Sequence, residues 1–345
     1  MQPFDLQVPR SLEDALALLP KERSYDGAQL IAGGQDILTV MKNDIAAPTA
    51  LVELDGLIPG EIEDDGAGGL VLGATATIQE IADSGLVQER FPSLAEAAKS
   101  IASPQIRSRA TVGGNLHQRP RCPYFRHSGV SCFKKGGNVC LAEFGFNKYA
   151  AILGGGPSYF SHPSDMATAL IGIGASVEIA GADGATRTVA LDEYYVLPDE
   201  ALDRETVLGA NEAVTRVVVP APAAGTRTTY LKFKERESYD FALAAVSVSV
   251  VLDGDKVASA RVVLGGVATK PWPSPEAEAA LVGKTMGPDA WRAAGEAAVA
   301  DAVPLDMNGY KLHLVKGVLF RALDSGRSWG SNEGFERAEQ HTLHE

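Results

Sequence analysis

Cysteine is scarce in this sequence, with 3 in 345 residues, all between positions 122 and 140. An odd count confined to one short segment excludes a disulfide framework and points to a reduced compartment or a metal. Positive charge is also in deficit: 31 Lys and Arg against 44 Asp and Glu leave a formal charge of −13. That balance removes the clustered cations from which nucleic-acid binding draws its affinity. No apolar run approaches the length needed to cross a bilayer, and Met1-Gln2-Pro3-Phe4-Asp5 lacks the basic and apolar regions of a signal peptide. A cytoplasmic protein without a membrane span or a nucleic-acid partner is expected. The dinucleotide pattern Gly-x-Gly-x-x-Gly and the Walker pattern are both missing, so a Rossmann or P-loop domain has no support.

What is present describes a globular chain. Hydrophobic residues make up 45% and charged residues 22%, and the length calls for two or three domains. Ser11 caps a short helix that ends at Pro20. Ala28 to Ala32 reads as a buried strand running into Gly33-Gly34, with a helix starting at Gln35. Such a junction presents orphan N–H groups to an anion, although a tight turn needing positive φ uses Gly-Gly equally well. Ala50 to Leu54 and Leu70 to Gly73 read as strands around an exposed acidic turn, Glu61 to Gly69. Helices follow from Ile78 to Asp83, capped by Thr77, and from Pro92 to Ser100. The latter feeds through Ile101 into Thr111-Val112-Gly113-Gly114-Asn115. Two glycine turns could face one diphosphate.

The stretch from Thr111 to Asp165 concentrates the chemistry, since it holds the second glycine pair, Cys122, Cys132 and Cys140, and His162-Pro163-Ser164-Asp165. A phosphate-bearing cofactor beside an inorganic centre is the layout of an electron-transfer protein. Further on, a helix from Met166 to Ile173 precedes a hairpin around Asp183-Gly184, and Pro198 to Asn211 is a polar, irregular stretch that marks a domain boundary. Val214 to Val219, Tyr230 to Glu235, Ala242 to Leu252 and Val257 to Gly265 predict an antiparallel sheet. Helical patterns occupy Pro275 to Val282, Asp289 to Ala302 and Asn308 to Leu323, which makes the fold class α+β.

These residues together resemble the FAD-binding medium subunits of the xanthine dehydrogenase and carbon monoxide dehydrogenase family of molybdenum hydroxylases. The motifs are Leu30-Ile31-Ala32-Gly33-Gly34-Gln35-Asp36, Thr111-Val112-Gly113-Gly114-Asn115, His162-Pro163-Ser164-Asp165, Lys232-Phe233-Lys234-Glu235-Arg236 with Asp240-Phe241-Ala242-Leu243, and Val263 to Ala268. The resemblance implies a two-lobed FAD-binding domain of the PCMH, vanillyl-alcohol oxidase-like type, followed by an antiparallel sheet with a helical bundle. The expected divisions are 1–55, 56–175 with a cysteine-containing insertion at about 119–160, 176–323, and a polar tail at 324–345. It also implies partners: a molybdopterin-bearing large subunit, a small subunit with two [2Fe–2S] clusters, and an external electron acceptor. The residues carried over for FAD are Leu30, Ile31, Ala32, Gly33, Gly34, Gln35, Asp36 and Ile37 with Thr111, Gly113, Gly114 and Asn115. Asp165 is expected to accept from the adenosine part, Ile101 to pack on the flavin ring, Lys232 to lie at the ring's polar edge, and Tyr195 to neighbour the flavin.

Within the family the likeness is to the flavin subunits of bacterial periplasmic aldehyde oxidoreductases, which carry four cysteines around a [4Fe–4S] cluster. Cys122, Cys132 and Cys140 match three of those ligands, and Ser158 stands where the fourth cysteine belongs. Export in company with a signal-bearing partner is the alternative to a cytoplasmic location. The expected function is a flavin relay, which requires no nucleophile or general acid–base pair from the chain. The rival readings are a stand-alone FAD oxidoreductase and a protein stabilised by zinc on the three cysteines and a histidine such as His127.

Overall fold

The computed structural model describes residues 1–24, 26–237 and 239–325, so the expected tail lies outside the described residues beyond position 325. The chain opens with β1 (Asp5–Gln7), α1 (Leu12–Ala17), β2 (Gln29–Ile31), α2 (Ile37–Lys42) and β3 (Ala50–Glu53). The strands form a small parallel sheet in the order β1-β3-β2. Ser11 caps α1 by accepting from the Asp14 N–H, as its sequence position predicts.

The second lobe begins with β4 (Ile62–Asp64), β5 (Leu70–Gly73), α3 (Ile78–Asp83), α4 (Gly85–Arg90), α5 (Pro92–Ser100), α6 (Pro104–Arg107) and α7 (Val112–Leu116). Thr77 and Glu80 close a reciprocal capping box on α3. After the cysteine segment come α8 (Asp165–Gly172), β6 (Ser176–Gly181), β7 (Thr186–Ala190), α9 (Leu191–Tyr194) and β8 (Glu212–Val219). The sheet of this lobe has the order β4-β5-β8-β6-β7. Strands after residue 175 therefore complete a sheet begun at residue 62, and the sheets divide near residue 220 rather than at 176. The cause is long-range pairing: Leu70 sits opposite Val219, and Val177 opposite Val217.

The C-terminal part holds β9 (Thr226–Phe233), β10 (Ala244–Asp253), β11 (Lys256–Gly265), β12 (Trp272–Pro273), α10 (Pro275–Leu281), α11 (Pro288–Ala297) and α12 (Tyr310–Ser325). Its antiparallel sheet has the order β12-β11-β10-β9, and the helices cover one face with their own apolar core around Trp291, Val248 and Leu319. Helix α8 is buried along its whole length and packs on both α5 and the β10–β11 pair. Small residues allow this approach: a Cβ on Gly172 would lie 2.2 Å from Ser247 Oγ, and one on Gly265 would lie 2.7 Å from Thr168 Oγ1. Asp165, at the first turn of α8, is thereby carried to the junction of the two domains.

Candidate functional site

A groove of about 550 Å³ runs between the loop after β2, the segment from Ile101 to Arg119, and Lys232 with Tyr239 to Phe241 of the C-terminal domain. It falls within the usual size of a cofactor site. Leu30, Ala32, Gly33, Gly34, Gln35, Asp36, Ile37, Ile101, Thr111, Gly113, Gly114, Asn115, Asp165 and Lys232 all contribute to its wall. The fold thus gathers residues some 200 positions apart in sequence into one site.

The first glycine turn carries the free donors. Gly33, Gly34, Gln35 and Asp36 donate no backbone hydrogen bond to any described residue. Gly34 has φ +73°, and a Cβ on Gly33 would lie 1.7 Å from the Arg109 carbonyl oxygen. Gly34 needs glycine for its conformation, and Gly33 needs it for the contact that draws the two turns together. The second turn differs from the expectation. It is the short helix α7, and its N–H groups are consumed within the protein: Val112 donates to Ala76 O, Gly113 to Ala74 O at 2.9 Å, and Gly114 to Thr111 Oγ1 at 3.1 Å. What this turn offers is closeness. A Cβ on Gly114 would meet only Thr111 Oγ1 within 4 Å, so protein packing does not account for the missing side chain. Unpaired donors in one turn and open space at the other fit a diphosphate-bearing cofactor such as FAD.

Asp165 and Lys232 form a buried ion pair at 2.8 Å, with side chains 7% and 3% exposed. Tyr230 donates to the other carboxylate oxygen at 2.6 Å, and Lys232 also donates to Ser100 O at 3.3 Å, next to Ile101. These residues stand at one place, at the junction of the two domains.

Two expected neighbours are absent from the wall. Ile31 is held in β2 opposite Glu53. Tyr195 is 3% exposed, donates to Leu116 O at 3.2 Å and meets the His162 ring edge-on, so it supports α7 from behind. Other wall residues carry no sequence signal of their own. His117 bridges Gly113 O (2.7 Å) and the Tyr194 hydroxyl (2.5 Å), and burial pushes its pKa down. Ala102 (φ 42°) and Tyr239 (φ 74°) adopt a left-handed backbone that side chains rarely tolerate, and both line the groove. Positive φ in a residue other than glycine is invisible in sequence.

Asp36 has a second task. Its carboxylate takes Arg121 and Arg126 at 2.8 Å each and the Arg119 N–H at 2.6 Å, which fastens the cysteine segment to the first glycine turn. Lys134 reaches Glu205 at 2.8 Å and anchors the other side. The three cysteines are free. Burial raises the Cys122 thiol above its usual pKa, Phe125 and Tyr124 N–H groups act in the opposite sense, and Cys140 and Cys132 add to the rise. Cys132 and Cys140 therefore lie close enough for Cys122 to feel their charge, and N–H groups aimed at a sulfur are the kind of contact that stabilises a cluster thiolate. Among the described residues no three His, Cys, Asp or Glu side chains converge tightly enough for a single metal ion. The zinc reading lacks its closed site, and the His127 Nδ1 expected to join it accepts instead from the Gly129 N–H at 3.1 Å. Ser158 is buried, and its neighbour Tyr159 feels the charge of Cys140.

Comparison with known proteins agrees with this geometry. Residues 2–222 match the family described as the FAD binding domain in molybdopterin dehydrogenase, and residues 228–325 match the CO dehydrogenase flavoprotein C-terminal domain. The chain is 38% identical over 304 residues to the aldehyde oxidoreductase FAD-binding subunit PaoB of Escherichia coli (strain K12), covering 88% of this chain and 92% of that protein. It is 30% identical to the carbon monoxide dehydrogenase medium chain of Hydrogenophaga pseudoflava, covering 93% and 96%. A solved carbon monoxide dehydrogenase from Hydrogenophaga pseudoflava superposes with a TM-score of 0.73 at 30% identity, covering 94% of this chain and 98% of that one. The reconstituted enzyme from Oligotropha carboxidovorans gives 0.74 at 27%, covering 95% and 99%. The chain belongs to the FAD-binding medium subunits of the xanthine dehydrogenase and carbon monoxide dehydrogenase family of molybdenum hydroxylases.

Proposed function

We propose that this chain holds one FAD in the groove and serves as the electron-transfer subunit of a heteromeric molybdenum hydroxylase of the aldehyde oxidoreductase or xanthine dehydrogenase type. Its partners would be a molybdopterin-bearing large subunit and a small subunit with two [2Fe–2S] clusters, and an external acceptor would take the electrons. The observation that carries this reading is the run of unpaired N–H groups from Gly33 to Asp36 opposite the open face of Gly114. FAD, when bound, supplies redox chemistry that no side chain here possesses. The chain's residues bind and orient it. The first turn donates to the diphosphate, α7 approaches without a side chain, Ile101 presents an apolar surface, and the Asp165–Lys232 pair fixes charge at the domain junction. Two folding units meeting near residue 220 are proposed in place of the earlier division. Among the described residues no helix is long and apolar enough to cross a membrane, and the cytoplasm is the proposed compartment, with co-export as the alternative. Replacing Gly114 by Val tests the site. The variant is expected to fold and to lose its flavin, and flavin content equal to wild type would remove Gly114 from it.

Cys122, with Cys132 and Cys140 within reach of its charge on one anchored segment, also supports an iron–sulfur cluster on this chain, held by Cys122, Cys132 and Cys140 with Ser158 as an oxygen ligand. Oxygen is a harder donor than thiolate, so such a cluster is expected to be more labile than one with four cysteines. Iron and acid-labile sulfide are measured in anaerobically prepared protein, with Cys132→Ala as the comparison. Flavin without iron in protein kept from oxygen contradicts the cluster.

A further inference from the structure

Cationic side chains in the groove wall are Arg23, Arg119, Arg121 and Lys232. All but the first are spent inside the protein: Arg119 reaches Glu205 at 3.1 Å, Arg121 reaches Asp36 at 2.8 Å and Lys232 reaches Asp165 at 2.8 Å. Arg23 forms no hydrogen bond or ion pair with any described residue, and its side chain is exposed. The remaining acids of the wall are taken too. Glu212 holds Arg187 at 2.7 Å, Asp240 holds Arg236 at 2.6 Å, and Asp203 stands 3.7 Å from Arg204. Carboxylates thus outnumber cations along the wall, which is a poor setting for an anion unless an unpaired cation meets it.

Arg23 is placed to do so. Its loop, between α1 and β2, is tied to the strand that ends in the first glycine turn: Gln29 Nε2 donates to Ser24 O at 2.6 Å, and the Ser24 hydroxyl accepts from the Asp26 and Gly27 N–H groups at 3.2 and 3.1 Å. Its charge is felt beside the second turn as well. His117, whose Nδ1 is 2.7 Å from Gly113 O, has its pKa lowered mainly by burial and further by the Arg23 charge. Arg119, whose N–H donates to the Asp36 carboxylate at the first turn, acts on Arg23 in the same sense, after burial and Arg204. Arg23 therefore stands within charge range of both turns. The backbone donors from Gly33 to Asp36 can bond a diphosphate but carry no net charge to balance it. A guanidinium supplies that charge and a planar fork that matches phosphate oxygens.

We propose that Arg23 is the counter-charge of the FAD diphosphate, its guanidinium donating to phosphate oxygens that the first turn also holds. The inference rests on the flavin reading of the groove and adds to it a side chain that selects for the diphosphate.

The full chain, freed of flavin, is titrated with FAD, with ADP as a diphosphate without the flavin, and with riboflavin as the flavin without phosphate. In Arg23→Gln, FAD and ADP are expected to bind about tenfold more weakly and riboflavin as in wild type, with circular dichroism unchanged. Arg23→Lys keeps the charge and loses the fork, so its affinity for FAD should fall in between. In 1 M NaCl, where charges are screened within about 3 Å, wild-type affinity should drop toward that of the glutamine variant. Equal affinity of wild type and Arg23→Gln for FAD and ADP overturns the proposal, as does a loss of the same size for all three ligands or one that salt leaves undiminished. A wild-type chain that binds no FAD overturns the flavin reading together with this inference, whereas FAD binding that ignores Arg23→Gln removes Arg23 alone.

Discussion

Among the glycines of the groove, two that stand in matching turns should respond in opposite ways to a side chain. A Cβ on Gly33 would be driven into the Arg109 carbonyl, whereas one on Gly114 enters the open groove beside Thr111. Gly33→Ala is therefore expected to cost about 3 kcal/mol of stability, the upper end of over-packing, while Gly114→Val leaves the denaturation midpoint near wild type and empties the site of flavin. Denaturant titration and flavin content on the same samples separate the two. The ion pair gives a third expectation at this scale. Lys232→Met strands the Asp165 carboxylate in a buried place, and the loss should be about 3–5 kcal/mol by the same titration. Sequence made Gly33, Gly114, Asp165 and Lys232 legible as site residues, because each sits in a recognisable motif. It did not give their partners. Nothing local in Thr111 to Asn115 says that the N–H groups of α7 are spent on Ala74, Ala76 and the Thr111 hydroxyl, nor that Tyr195 lies a layer behind the groove.

Element by element, periodicity and caps located what local sequence controls. Helices α1, α3, α5 and α12 and strands β10 and β11 fall where their patterns predict, and β9 starts four residues before its expected Tyr230. The failures share one cause. β4 is an acidic edge strand, Ile62-Glu63-Asp64, that reads as a turn until its pairing with β5 is known. β8 belongs to the second lobe only because it pairs with β5, more than 140 residues earlier. Packing between α5 and β9 carries a pH prediction. Glu96 on α5 accepts from the Tyr230 N–H at 2.6 Å and the Thr229 hydroxyl at 3.2 Å, and burial raises its pKa to about 7. Its folded pKa lies above its unfolded one, so the folded state holds the proton more tightly. Stability from this group is greatest below about pH 4.5 and falls as pH rises toward 7, by about 3 kcal/mol in all. Glu96→Gln should remove that slope, which denaturant titrations across pH 4 to 8 would read at about one-unit intervals. An unchanged slope in the variant would assign it to other groups.

For the molecule as a whole, α8 and the ties from Asp36 and Glu205 make one arrangement of three parts: two lobes that form the groove, a C-terminal domain that supplies Lys232 and the Tyr239 to Phe241 stretch, and a cysteine segment fastened beside both. A chain that holds a redox cofactor for others needs no nucleophile of its own, because the cofactor carries the chemistry. The central claim is therefore about an assembly. Purification of the native protein under anaerobic conditions, with the mass of the complex and its flavin, molybdenum and iron measured on one sample, tests it most directly. The account predicts FAD in equal number with this chain, together with molybdenum and iron–sulfur clusters on two further chains. A monomer that carries flavin and by itself reduces a dye with an aldehyde or a purine would contradict it.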